Sequence, residues 1–146
     1  MNRFHGRLAL QQRVIPNYRA PFFDLLASAC EGGLSLFAGL PRPVEGITTT
    51  NHLQVADYQP GHNIHLFSGP LYLCYQRGLI DWLRDWNPDA LIVEANARYL
   101  STPSAVQWIR VLRRPLWAFK GYHRDMRKED SNGLVPRRDG RSFFGE

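Results

Sequence analysis

Two short stretches carry residue types that could do chemistry. The first is Asn17-Tyr18-Arg19, inside QQRVIPNYRAPFFDLL, residues 11–26. The second is Glu94-Ala95-Asn96-Ala97-Arg98-Tyr99, at the end of the apolar run ALIVEA, residues 90–95. Arg19 and Arg98 offer planar forks of N–H donors that suit a phosphate or a polyhydroxylated ligand. Tyr18 and Tyr99 could stack on a sugar or a base. Asn17 and Asn96 complete the candidate set. Glu94 closes an apolar strand, where a carboxylate is costly unless paired. A pair with Arg98 or with Arg19 would satisfy it. The plainer reading gives these groups only structural work: tyrosines packed over a sheet edge and arginines neutralising Glu94.

Other chemistries find little support. The join from Pro16 to Pro21 holds no glycine. No Walker A run, GxGxxG or GxSxG occurs, so phosphate cradles and a hydrolase elbow lack their usual turns. His62 and His65 form an HxxH pair, but a strand sends residues three apart to opposite faces. His5, His52 and His123 stand alone, and a metal needs three or four converging ligands, so no metal site is expected. Cys30 and Cys74 lie far apart in apolar surroundings and read as buried, reduced thiols.

The elements that must position these residues follow from periodicity. Residues 7–14, RLALQQRV, read as a first strand. Pro21 suits the first turn of a helix. Phe22, Leu25, Leu26, Ala29 and Cys30 then recur at helical spacing, and Gly32-Gly33 stops the helix. LSLFA, residues 34–38, is a second strand. Residues 39–62 carry turn residues without a period and predict a long loop, and 63–67 predict a third strand. Tyr72, Tyr75, Leu79, Trp82, Leu83 and Trp86 fit one helix, ended by Asn87-Pro88-Asp89. The run 90–95 predicts a strand covered on both faces. Ser101-Thr102-Pro103 predicts a helix start with a hydroxyl cap, and Ala105, Val106, Ile109 and Leu112 its apolar face. Residues 115–119, PLWAF, predict a last strand. Strands alternating with helices imply an α/β fold in three layers around a mostly parallel sheet. In such a sheet, ligands bind beyond the carboxyl ends of the strands, where the two candidate stretches and the long loop after the second strand fall.

Composition sets wider bounds. The chain has 146 residues, 44% hydrophobic and 12% aromatic, which suits one domain with a real core. No apolar run is long enough to span a bilayer, and no secretory signal is evident. Its net charge of +5 favours anionic partners, though it equally fits a mildly basic soluble protein. Residues 120–146 mix both charges with glycine and proline and predict a disordered tail.

Three segments together resemble the amino-terminal domain of family 4 glycosyltransferases: RLALQQRVIPNYRAPFFDLLA, LSLFAG and NPDALIVEANARYLSTPSAVQWIRVLRRP. One branch of that family carries a Gln-Arg-hydrophobic-Pro-x-Tyr-Arg-x-Pro-Phe-Phe segment after its first strand. The same branch carries Glu-x-Asn-x-Arg-Tyr-Leu-Ser after a later one. The likeness spans about residues 6–119. It implies a Rossmann-like domain over 1–119, the acceptor side of a two-domain GT-B enzyme. It implies hexosyl transfer with retention, from a nucleotide-sugar donor to a sugar or lipid-linked glycan, with no cofactor and usually no metal. Asn17, Tyr18, Arg19, Glu94, Asn96, Arg98 and Tyr99 would then be acceptor-binding. A cytoplasmic location, with peripheral contact at the inner membrane face, also follows from the resemblance. The donor domain would lie beyond Glu146, so the chain is expected to be truncated and inactive alone. The alternative is a non-enzymatic basic module using Arg110, Arg113, Arg114 and the arginines of the tail on nucleic acid or anionic lipid. The mixed charges of the tail and the absence of a nucleic-acid motif weigh against nucleic acid.

Overall fold

The computed structural model describes residues 3–120. The expected tail therefore lies, after its first residue, outside the described residues. Five strands form one sheet in the order β3-β2-β1-β6-β7: β1 (Leu8–Val14), β2 (Leu34–Gly39), β3 (Asp57–Pro60), β6 (Ala90–Glu94) and β7 (Leu116–Phe119). All four pairings are parallel. Helix α1 (Ala20–Ser28) covers one face, and α2 (Leu79–Trp86) with α3 (Thr102–Val111) covers the other. The result is the three-layer, Rossmann-like α/β arrangement anticipated from the pattern.

Alternation in β1 explains its central place. Leu8 and Leu10 pack towards Phe23 and Ala27 of α1, while Ala9 packs towards Leu79, Leu83, Ala105 and Ile109. A strand buried on both faces can bring its neighbours' cores together. Proline stands in the first turn of α1, as expected. Trp82 of α2 stacks on Phe37 with centroids 5.1 Å apart, and its Nε1–H donates to Ser35 Oγ at 2.9 Å. Asn87 ends α2 in the left-handed conformation, φ 48°. Cys30 and Cys74 are buried free thiols. No helix among the described residues is long and apolar enough to cross a membrane.

Five expectations need correction. The third strand of the sheet is β3, inside the segment expected to be loop. Its burial is slight and it carries Pro60, both features of an edge strand. Residues 63–67 do not join that sheet: β4 (His62–Leu66) pairs antiparallel with β5 (Leu73–Arg77) in a separate ribbon. Tyr72 and Tyr75 accordingly are not on a helix, because Gly78 at φ 90° breaks the chain and α2 starts only at Leu79. Ser101 does not cap α3 with its hydroxyl; that oxygen accepts the Gln76 N–H (2.7 Å) and donates to the Gln76 carbonyl (3.1 Å) instead. Coverage of β6 is also uneven, with Leu91 and Val93 sealed but Ile92 only half-buried.

Candidate functional site

At the carboxyl end of β1 the strand turns polar while staying buried: Gln11, Gln12 and Arg13 are each 4% exposed or less. A buried guanidinium needs a counter-charge and saturated donors. Arg13 finds both in Glu45, on a short 3-10 turn over Pro43–Glu45. Its Nη1 donates to Oε2 at 3.0 Å and its Nη2 lies 2.9 Å from Oε1, a two-pronged pair. The Arg42 N–H donates to the same carboxylate at 2.7 Å. Burial pushes the Glu45 carboxyl upward, but Arg13 and the Arg42 N–H outweigh it and hold it below the usual carboxylate range. Burial likewise opposes the Arg13 charge, and Glu45 with the nearby phenols overcomes that opposition.

Tyr72 and His65 extend the cluster. The Tyr72 hydroxyl lies 2.9 Å from His65 Nδ1 and accepts from Arg13 Nη1 at 3.4 Å. His65 Nε2 faces the Leu40 carbonyl at 3.2 Å, which can only accept, so Nε2 carries the proton and Nδ1 receives the Tyr72 O–H. Burial pushes Tyr72 up to about 12 despite Arg13, and burial also lowers His65. Both are thus neutral near pH 7. The Arg42 guanidinium sits 4.3 Å from the centroid of the Tyr72 ring.

A second set of bonds clamps the β4–β5 ribbon over the sheet. The Gln11 amide donates to Gln76 Oε1, and Gln76 Nε2 donates to the Gln12 carbonyl (3.0 Å) and to Asn63 Oδ1 (2.9 Å). Asn63 Nδ2 in turn donates to the Arg13 and Leu40 carbonyls at 2.7 and 3.0 Å. Gly39 matters here, because a Cβ on it would overlap the Asn63 side chain. The chain order changes direction between β1 and β6, the crevice where open parallel sheets usually receive ligands. In this protein that crevice is filled by Gln11, Arg13, Gln76 and Glu94. The network binds its own members and presents no reactive group.

The open part of the carboxyl edge is displaced towards β2 and β3. A pocket of about 550 Å³ lies there, with Thr49, Thr50, Asn51 and Tyr58 on its walls and Gly39 and Gly61 among its backbone. Backbone pairing builds the wall: the Asn17 N–H donates to the Thr48 carbonyl at 3.0 Å, and Pro16 bridges Thr49. The Tyr58 hydroxyl is tied to the Ala38 carbonyl at 3.1 Å.

The residues singled out from the sequence separate into three places. Asn17 and Tyr18 are exposed on the turn after β1, Tyr18 by 74%. Arg19 lines a different pocket, under α1. Glu94 pairs with neither Arg19 nor Arg98, a correction to the pairing expected for it. It accepts the Arg13 backbone N–H at 2.9 Å, with the Tyr99 hydroxyl 3.5 Å from its other oxygen. Those neutral donors satisfy the carboxylate without a second buried cation. Tyr99 is 4% exposed and packs with Tyr72 and Cys74, so its ring serves the core. Asn96 Oδ1 accepts the Arg98 N–H at 2.9 Å in a local turn, leaving the Arg98 side chain in solvent. Of the basic run at and after the end of α3, Arg114 donates to Asn87 Oδ1 and the Pro88 carbonyl at 2.6 and 2.7 Å. Reading the sequence missed Arg13, Glu45 and Gln76, and reached the Thr49–Asn51 wall only as part of the long loop over 39–62. The signal for the first was three consecutive polar residues inside an apolar strand; for the wall it was only the length of the loop after the second strand. Among the described residues no three His, Cys, Asp or Glu side chains gather as a metal site. No family model matches the chain, and neither does any curated protein or solved structure.

Proposed function

We propose that residues 1–119 are the acceptor-side domain of a retaining glycosyltransferase, with 120–146 a tail beyond the domain. The observation that carries this reading is the pocket of about 550 Å³ at the carboxyl ends of β1 and β2, where Thr49, Thr50 and Asn51 stand beside Ile15, Leu40, Tyr58 and Pro60. Its size is that of a small-ligand site, and its groups suit a polyhydroxylated molecule. The turn into α1 supports the same choice. It is a 3-10 turn followed by Pro21, which removes one N–H from the helix start, so it makes a poor phosphate cradle. The resemblance of the flanking segments supplies the class of reaction.

In this reading Thr49, Thr50 and Asn51 orient the acceptor, with Tyr18 exposed on the turn that pairs with their segment. The Arg13–Glu45 and Gln76 networks keep the carboxyl edge rigid. The nucleotide-sugar donor would be held by a second domain, facing this edge. Acceptors would be sugars or lipid-linked glycans, met at the inner membrane face.

The test has two arms. Oligosaccharides titrated into the labelled chain are expected to shift the backbone amides of Thr49, Thr50, Asn51 and Gly61 saturably, and Thr50→Val to weaken that response. Joining the chain to a donor domain should create transfer from a nucleotide sugar where the chain alone gives none. Silence of those amides to a broad glycan panel, with no transfer from the joined protein, would sink the reading.

A further inference from the structure

On the α1 face of the sheet a second pocket, of about 480 Å³, opens between the helix and the β6–β7 edge. It exists because α1 has nine residues and buries Phe23 and Ala27, while both other helices lie on the opposite face. Ile92 is only half-buried on this face, and Trp117 stays 53% exposed. Phe22, Phe23, Ile92 and Phe119 make its walls apolar, with Gln12 and Arg19 as the polar exceptions.

Those two exceptions point to an occupant. Gln12 is 4% exposed, yet its Oε1 is buried with no hydrogen-bond partner among the described residues. Buried acceptors are nearly always paired, because leaving one bare forfeits its hydration. An unpaired one on a residue that lines a pocket therefore marks the place of a missing donor. Arg19 belongs to none of the four ion pairs among the described residues. Its guanidinium rests 5.9 Å from the centroid of the exposed Tyr18 ring, a contact that leaves its charge free for an anion.

We infer that this pocket binds a small amphiphile whose apolar body lies among Phe22, Phe23, Ile92 and Phe119, and whose head pairs a hydrogen-bond donor with Gln12 Oε1 and an anion with Arg19. The inference stands apart from the acceptor reading, since this pocket and the Thr49–Asn51 pocket share no lining residue. An apolar pocket with a few fixed polar groups is the usual design of a small-molecule site.

The probe is N-decanoylglycine, which carries a ten-carbon acyl chain, an amide N–H and a carboxylate. Decanoic acid lacks the amide donor, and the methyl ester of the probe lacks the anion. The full chain, labelled for backbone NMR, is titrated with each below its micelle concentration. The expected result is one saturable site, with shifts at Gln12, Phe23, Ile92 and Phe119. Each control should bind at least about tenfold weaker, the loss expected when a buried polar group stays unpaired. Gln12→Leu should erase the preference over decanoic acid, and Arg19→Gln the preference over the ester. Gln12 could matter to folding, but Arg19 lies on an exposed turn and gives an independent reading. Absence of saturable shifts, equal binding of the three compounds, or preferences unchanged in both variants would overturn the inference. So would nuclear Overhauser contacts from Phe143 or Phe144 to Phe23 or Phe119 in the free protein, because the chain's own end would then fill the pocket.

Discussion

The Arg13–Glu45 pair offers the most direct quantitative test of the carboxyl-edge network. Glu45→Gln keeps the shape of the side chain and removes its charge, leaving Arg13 buried without a counter-ion. The two side chains are only 5% and 14% exposed, so solvent can repair little of the loss. Removing one partner of a buried pair costs about 3–5 kcal/mol, and the partial exposure of Glu45 places this case near about 3 kcal/mol. At about 4 °C per kcal/mol for a domain of this size, the melting temperature should fall by ~12 °C. Urea and thermal unfolding followed by circular dichroism would measure both. Replacing the pair together, with Arg13→Met and Glu45→Leu, should recover most of the loss because no charge is then stranded. The pH dependence has a definite sign. The folded carboxyl lies below its ordinary 4.5, so the stabilisation is full above that pH and drains away as pH falls through the folded value. The gap between wild type and Glu45→Gln should therefore close below about pH 4.5. A variant within about 1 kcal/mol of wild type at pH 7 would refute the claim that the pair is buried and structural.

Three further outcomes follow from single contacts. Asp24 on α1 accepts the backbone N–H groups of Gln54, Val55 and Ala56 at 3.0, 2.8 and 3.1 Å. These bonds outweigh its burial and hold the carboxyl low, so Asp24→Asn should cost about 1 kcal/mol at this solvated site, speed amide exchange at 54–56, and remove an acid-side loss of stability. Gly78 begins α2 at φ 90° with open space around its Cα, so Gly78→Ala should cost about 1–2 kcal/mol in unfolding experiments, through backbone strain and not through a clash. His65, lowered mainly by burial, should titrate below 6.5 by imidazole NMR; the stability it confers while neutral is full above that pH and lost as pH falls below it.

The parts legible in the sequence are those governed by local rules. Pro21 announced α1, and the continuous run from Ala90 announced β6, because each signal lies within its own element. The ribbon was illegible for a physical reason. Tyr72, Tyr75 and Leu79 fit a helical stripe, while Tyr72, Cys74 and Gln76 fit the inward face of a strand equally well. Gly78 breaks the tie only through its positive φ, which no periodicity reports. The edge strand β3 hid because an edge strand is barely buried and needs no apolar face. The partners in the site were further out of reach. Glu45 is 32 residues from Arg13, and Gln76 is 65 from Gln11. Charge type predicts that Arg13 needs a carboxylate, but only the fold decides which. Glu94 shows the same limit: an arginine was the reasonable partner, and the backbone of Arg13 with Tyr99 supplied the donors instead.

The ribbon also explains why a sheet of this topology carries no phosphate cradle. An open parallel sheet ordinarily receives its ligand where the strand order reverses, here between β1 and β6. Gln76 reaches into that crevice and bonds at once to the strand β1 and to Asn63 of β4. Lifting the ribbon would strand Gln11 and the Gln12 carbonyl and uncover Arg13, so the crevice is closed by several hydrogen bonds worth about 1 kcal/mol each. The strand-to-helix turn after β1 then has no buried phosphate to approach and no need of glycine. It holds the Thr48–Asn51 segment by backbone pairing and points Tyr18 outward. With that crevice closed, the open space at the carboxyl edge lies on the β2–β3 side, between the Thr49–Asn51 segment and the ends of β2 and β3.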